Sequence, residues 1–248
     1  MKKLICILLL LTLVLSLAAC NPVEKVTIYV PNTITEYVGE DTTPTAVTYL
    51  LYSKGWEKSA SFTVSYSTDG KKPTEGGTTI TYADKHTTTV GNETRVDEYR
   101  NEKGQVISRN VFLERSSQVI QSVLTYDEHG RILTQTTSTS FLGGKETYLP
   151  QVTFTYEETE QGSKAVGEQN GYVETYCYDK EYRLVSYSVT IMGKESSRTE
   201  YTYDEHGNQT GVAVYADGEL STKSVTTYKA VEVTKKTADG QPQFKREN

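Results

Sequence analysis

The sequence predicts an all-β protein, an extended antiparallel meander of stacked β-hairpins forming a single curved sheet. Three observations carry this. From Val23 onward no stretch has the 3.6-residue spacing of an amphipathic helix. Apolar and polar residues alternate at period two between short clusters of Gly, Asp, Asn and Lys. Thr, Tyr and Val dominate, residue types that pack well on a pleated surface, and the 248 residues include 19 Tyr.

The amino terminus stands apart. Lys2 and Lys3 form a positive patch, and Leu4 to Leu17 form an almost unbroken apolar run. This is the layout of a cleaved signal peptide over 1–19, too short for a comfortable membrane-spanning helix of about 20 residues. The run Leu17-Ala18-Ala19-Cys20 resembles a bacterial lipobox. That resemblance implies cleavage before Cys20, a diacylglycerol on its thiol and acylation of the freed amine. One chain binds a bilayer only marginally, at about 0.8 kcal/mol per buried methylene, whereas two or three hold stably. The expected location is the extracytoplasmic side of a cell membrane, with residues 20–25 as a lipidated tether.

Removing the signal changes the composition. The remaining 229 residues are about 32% apolar, low for a globular domain. They carry 24 basic against 32 acidic residues, which argues against nucleic acid and against a polybasic membrane surface. Cys6 leaves with the signal and Cys20 is modified, so Cys177 has no partner for an internal disulfide. Lying between Tyr176 and Tyr178, it reads as a small strand residue.

Residues 26–93 are irregular, with strand candidates at Val26–Val30, Val47–Tyr52, Ser61–Tyr66 and Thr78–Tyr82. Pro31, Pro44 and Pro73 are expected in connections and Gly76-Gly77 in a turn. The region is either the start of the same sheet or a small separate β cap. Trp56 reads as a core or edge plug.

Residues 94–236 hold a repeat. Leu124-Thr125-Tyr126-Asp127-Glu128-His129-Gly130-Arg131-Ile132-Leu133 has a close partner in Tyr201-Thr202-Tyr203-Asp204-Glu205-His206-Gly207-Asn208. A weaker copy runs from Tyr176 to Leu184, and Tyr178, Tyr203 and Tyr228 are spaced 25 residues apart. Asp at the first turn position and Gly at the fourth predict a type I turn with a left-handed Gly and a bulge. Tyr182 replaces the Gly in the weaker copy, so that turn is expected to be strained or differently built. Parity places Tyr126, Tyr156, Tyr176, Tyr178, Tyr201 and Tyr203 on one face and mainly Thr on the other. Such a face is either a core under a curling sheet or an exposed binding face, since tyrosines stack well on sugars and peptides. Residues 237–248 are polar and are expected to form a disordered tail.

The pattern Tyr-x-Tyr-Asp-x-x-Gly-Arg-x-Leu resembles the YD repeat of Rhs-type proteins and teneurins. It is carried by Tyr126, Asp127, Gly130, Arg131 and Leu133, by Tyr201, Tyr203, Asp204 and Gly207, and by Tyr176, Tyr178, Asp179, Arg183 and Leu184. The resemblance covers about residues 94–230 and implies a long sheet of stacked hairpins. Large members roll many more repeats into a closed shell around a cargo. Five to seven units are too few for that, so hairpin geometry carries over and toxin delivery does not. The chain is similar to small repeat-bearing bacterial lipoproteins of unassigned activity.

Chemistry is sparse. His129 and His206 fall at the third position of turns, where an exposed polar residue is ordinary. Glu157-Glu158 and Asp127-Glu128 lack the recessed setting that carboxylate-pair hydrolysis needs. No nucleophile elbow, phosphate loop or His-Glu-x-x-His motif occurs. The leading expectation is therefore a non-catalytic binding or scaffold module with no cofactor and no metal. It would be moored by acyl chains on Cys20 and would meet an envelope protein or polysaccharide. The alternatives are an envelope polysaccharide hydrolase and a purely structural spacer. Growth with labelled palmitate is expected to mark the wild-type chain and to leave Cys20→Ser unmarked.

Overall fold

Over the residues it describes, the computed structural model shows one open antiparallel sheet of 19 strands and one short helix. It describes residues 23–247 apart from 55, 57, 66–73, 84, 92, 142 and 143. Leu17, Ala18, Ala19 and Cys20, together with Tyr66 and Pro73, lie outside the described residues.

Strands β1 (Lys25–Val38), β2 (Ala46–Tyr52), β3 (Lys58–Ser65), β4 (Thr74–Ala83), β5 (His86–Gly91), β6 (Thr94–Arg100), β7 (Val106–Leu113), β8 (Gln118–Tyr126) and β9 (Ile132–Phe141) run up and down, each pairing with the next. Short pieces β10 (Thr147–Tyr148), β11 (Val152–Thr153) and β12 (Thr155–Thr159) follow. A second regular run comprises β13 (Gly162–Gln169), β14 (Tyr172–Asp179), β15 (Leu184–Ile191), β16 (Lys194–Tyr203), β17 (Gln209–Ala216) and β18 (Glu219–Thr234). Because β5 pairs with β6 along its length, strands β1 to β5 belong to the same sheet. Two expectations are corrected. Gly76 and Gly77 lie within β4, and Pro31 lies inside β1, beside a register shift between Pro31 and Thr33. A bulge tolerates proline because no ladder N–H is required of it.

The sheet curls until β1 meets β18, pairing from Lys25↔Thr234 to Val38↔Thr222. The seam lies elsewhere, at 147–159. There β10 and β11 hydrogen-bond to β9, Phe154 N–H donates to the Leu133 carbonyl at 2.9 Å, and β12 bonds to β13 instead. The neighbour changes at Phe154, and no ladder joins β9 to β13.

Parity behaves as the sequence dictates. On the outer face, threonine hydroxyls pair across strands, Thr125 with Thr134 at 2.6 Å and Thr33 with Thr227 at 2.7 Å. On the inner face Ile132, Val152, Phe154, Ala165 and Tyr178 form a buried cluster, flanked by Tyr126, Tyr156 and Tyr176. Three tyrosine hydroxyls tie a strand to the one before it. Tyr126, Tyr203 and Tyr228 donate to the carbonyls of Val106, Leu184 and Gln209 at 2.7–3.0 Å. Tyr178 accepts instead, from Ile132 N–H at 3.1 Å.

Residues 237–247 are not a disordered tail. Helix α1 (Lys235–Asp239) is capped by Thr234, whose hydroxyl accepts from Thr237 N–H, and β19 (Lys245–Arg246) pairs with Ile28 and Tyr29 of β1. Ala238 and Phe244, 0% and 5% exposed, join Ile28, Val30 and Val233 in a second core cluster. Trp56 packs against it, as a core plug should. Two apolar anchors six residues apart suffice, because burying a phenylalanine stabilises by about 1.5–3 kcal/mol.

Alternation of strand direction brings the turns at 101–105, 127–131, 179–183 and 204–208 to one rim, together with the start of β1 and the carboxy-terminal segment. All four turns have the same build. The residue at the left-handed position is Gly104, Gly130, Tyr182 or Gly207, with φ of 80°, 92°, 59° and 77°. Tyr182 thus accepts a conformation costing an L-residue about 1–2 kcal/mol, offset by stacking on His129 at 4.3 Å. Gly207→Ala, where nothing else lies within 4 Å, is expected to destabilise by about 1–2 kcal/mol in urea titrations. Gly104→Ala would drive its methyl into the Pro242 carbonyl, so it is expected to cost more and to expose 235–247 to protease. Tyr182→Gly is expected to change stability by less than about 1 kcal/mol, strain relief offsetting the lost stack.

Candidate functional site

The site arises where one turn departs from its siblings. In each turn a side-chain oxygen of the first residue accepts two backbone N–H groups. Asp127 Oδ1 accepts from His129 and Arg131 at 3.0 and 2.8 Å, and Asp204 Oδ1 accepts from His206 and Asn208 at the same distances. Asp179 does this for Glu181 and Arg183, and Asn101 for Lys103 and Gln105. In two turns an arginine completes the unit. Arg131 Nε donates to Asp127 Oδ2 at 2.7 Å, its guanidinium lies 4.5 Å from the centre of the Tyr156 ring, and Nη1 reaches Glu158. Arg183 repeats this with Asp179 at 2.7 Å and Tyr203 at 5.2 Å.

The third position is held by Asn208. Its Nδ2 donates to Asp204 Oδ2 at 2.9 Å, replacing the arginine Nε, but the side chain stops there. Beside it opens a cavity of about 440 Å³, lined by Tyr29, Glu98, Arg100, Tyr203, Gln209 and Phe244 among others. Asn208 is 2% exposed, and since its nitrogen is committed to Asp204, Oδ1 is left without a donor. Arg100 sends Nη2 to Glu98 at 2.6 Å and Nη1 to the Gly104 carbonyl at 3.0 Å, leaving its buried Nε without an acceptor. Tyr29 stacks on His206 at 4.2 Å, and Gln243, Phe244 and Lys245 of the carboxy-terminal segment complete the lining. Unpartnered buried polar atoms are costly, about 1–3 kcal/mol each, and two of the five among the described residues belong to side chains that line this cavity.

The tyrosines singled out as a binding face are packed rather than displayed. Tyr178 is 7% exposed, and Tyr126, Tyr156, Tyr176, Tyr201 and Tyr203 are half-buried. Burial pushes the Tyr178 and Tyr203 hydroxyls up to about 12. Of the six, Tyr203 lines the cavity. The most exposed aromatics among the described residues are instead Phe141, Tyr148 and Tyr172, of which Tyr172 borders a groove at the seam with Leu149 and Val189. His129 stacks on Tyr182 as His206 does on Tyr29, and no group of His, Cys, Asp and Glu among the described residues could hold a metal ion. The acidic pairs do not converge on the cavity: Asp127 and Glu158 both pair with Arg131. Cys177 is a free thiol on β14, opposite Lys164 and Ser186. The cavity was not legible in the sequence; the signal available was Asn208 standing where the other two copies carry Arg131 and Arg183.

No protein-family model matches the chain, and no curated protein matches it. Among solved structures it is similar to a porin-like protein from Bacteroides uniformis, at 14% identity, covering 84% of this chain and 98% of that one with a TM-score of 0.45. A porin-like protein from Bacteroides vulgatus matches at 9% identity over 80% of this chain and 98% of that one, TM-score 0.31. A DUF1329 family protein from Desulfovibrio piger matches at 13% identity over 89% and 90%, TM-score 0.20. No helix among the described residues is long and apolar enough to cross a membrane.

The turn carboxylates set the acid stability. Burial raises the pKa of Asp127 and Asp204, but the Arg131 and Asn208 side-chain donors and the backbone N–H groups outweigh it, and both lie below the usual range. Asp97, held by Arg95 and Thr88, behaves alike. A folded pKa below the unfolded value of about 3.9 gives stabilisation that is complete above that value and lost as pH falls through the folded one. Thermal melts are therefore expected to drop in Tm below about pH 4. Asp127→Asn combined with Asp204→Asn is expected to lower Tm at neutral pH and to flatten that acid limb.

Proposed function

We propose that this protein is a non-catalytic binding module at the cell envelope, lipid-anchored through Cys20 on the extracytoplasmic side, with the rim cavity as its binding site. The observation that carries the reading is the rim cavity itself, lined by Tyr29, Arg100, Tyr203 and Asn208 and set where Asn208 replaces the arginine of the sibling turns. A volume of about 440 Å³ falls in the range of about 300–1,000 Å³ typical of small-ligand sites. Anchoring fits the same geometry. Strand β1 begins at Lys25 on this rim, so a mooring at Cys20 would be at most about 17 Å of chain away. The threonine face, with its hydroxyls paired to each other, has little left to offer a partner.

The test is site-specific photocrosslinking of the full-length protein in its native cells. A crosslinker at Gln209, on the cavity wall, is expected to capture an envelope component that one at Thr125, on the threonine face, does not. Equal capture from both positions, or none from Gln209, would overturn the reading.

A further inference from the structure

We infer that the groove at the seam is a second site, separate from the rim cavity, and that it binds a small primary amine, an ammonium head on a short apolar body. The groove lies at the far ends of the strands from the rim cavity, where β13 ends at Gln169 and β14 begins at Tyr172. Its volume is about 250 Å³, below the range of about 300–1,000 Å³ that suits drug-sized ligands, so its occupant is small. The walls are Leu149, Val152, Gly167, Tyr172 and Val189. Leu149 and Tyr172 are 45% and 52% exposed, whereas Val152 is 6% exposed and belongs to the cluster of Phe154 and Ala165, so the groove runs from solvent to the core.

One charged residue lines this groove, Glu174. The register leaves it without a countercharge. Directly opposite it stand Gly167 on β13 and Val189 on β15, and its neighbours along the same face of β14 are Tyr172 and Tyr176. Tyr176 donates its hydroxyl at 3.2 Å, and the Gln169 amide is committed to the Pro150 carbonyl. Among the described residues no cation pairs with Glu174, whereas Asp97, Glu98, Asp127 and Asp179 each hold an arginine. Glu174 is half-buried, so part of it is open to a ligand entering past Tyr172. Burial lifts its carboxyl above the usual carboxylate range, which Tyr176 only partly offsets, and an ammonium alongside would favour the charged form. Charge-assisted hydrogen bonds are about twice as strong as neutral ones, and the apolar walls would bury the rest of the ligand. A neutral alcohol would leave the carboxylate uncompensated, and an anion would be repelled by it.

Isothermal titration calorimetry on the mature protein, with n-hexylamine, cyclohexylamine and benzylamine, is the direct test. The comparators are n-hexanol, which lacks the charge, hexanoate, which reverses it, and methylamine, which lacks the apolar body. At least one of the three amines is expected to bind at least tenfold tighter than every comparator. Glu174→Gln, nearly isosteric, is expected to keep or raise Tm, because it removes an uncompensated charge, and to weaken amine binding at least tenfold. Glu168→Gln, next to Gly167 on β13 but on the opposite face and exposed, is expected to leave binding and Tm unchanged. Equal binding of n-hexanol or methylamine, preference for hexanoate, binding that survives Glu174→Gln, binding lost in Glu168→Gln, or a silent panel would overturn the assignment.

Discussion

One oxygen atom in each turn governs the rim of this sheet. By accepting N–H groups two and four residues ahead, the side chain of Asp127, Asp179, Asp204 or Asn101 pins the loop length, and the loop length pins the register of the strands on either side. A slip of one residue would turn the tyrosines outward and bury the threonines. The carboxylate does this at the price of its own desolvation, which the donors around it offset. The bulge beside each turn, between Tyr99 and Arg100, Thr125 and Tyr126, Cys177 and Tyr178, or Thr202 and Tyr203, is the visible result.

The tyrosines complete what the turns begin. Tyr126, Tyr203 and Tyr228 each fill the inner face while their hydroxyls donate to a carbonyl on an adjoining strand, so one residue supplies apolar burial and satisfies a carbonyl next to a turn. This is how a chain of such low apolar content holds a large sheet: the aromatic stripe supplies burial and hydrogen bonds from the same residues. Tyr178, which accepts from Ile132 rather than donating, sits where the seam interrupts the regular order. The irregular stretch and the irregular hydrogen bond are one event.

The parts of this architecture written in local pattern were legible: the period of two, the Asp-x-x-Gly turns, and the division into aromatic and threonine faces. What could not be read was set by contacts distant in sequence. Pairing of β1 with β18 joins residues about two hundred positions apart and has no local signature. The carboxy-terminal segment looks like a polar tail because its two anchors, Ala238 and Phe244, have no periodicity; only the surface they cover makes them structural. The inward placement of the tyrosines depends on curl, a property of the whole sheet. The cavity hides in a substitution, Asn208, that is unremarkable until the sibling turns are superimposed on it.

Joining β1 to β18 also imposes an order in time. Strand β1 finds its principal neighbour, β18, only after every strand between them has been made. Until then one flank of β1 is a row of unsatisfied amides, open to pairing with any extended segment nearby. A chain stalled short of residue 219 leaves β1 without that mate however well the hairpins between have formed.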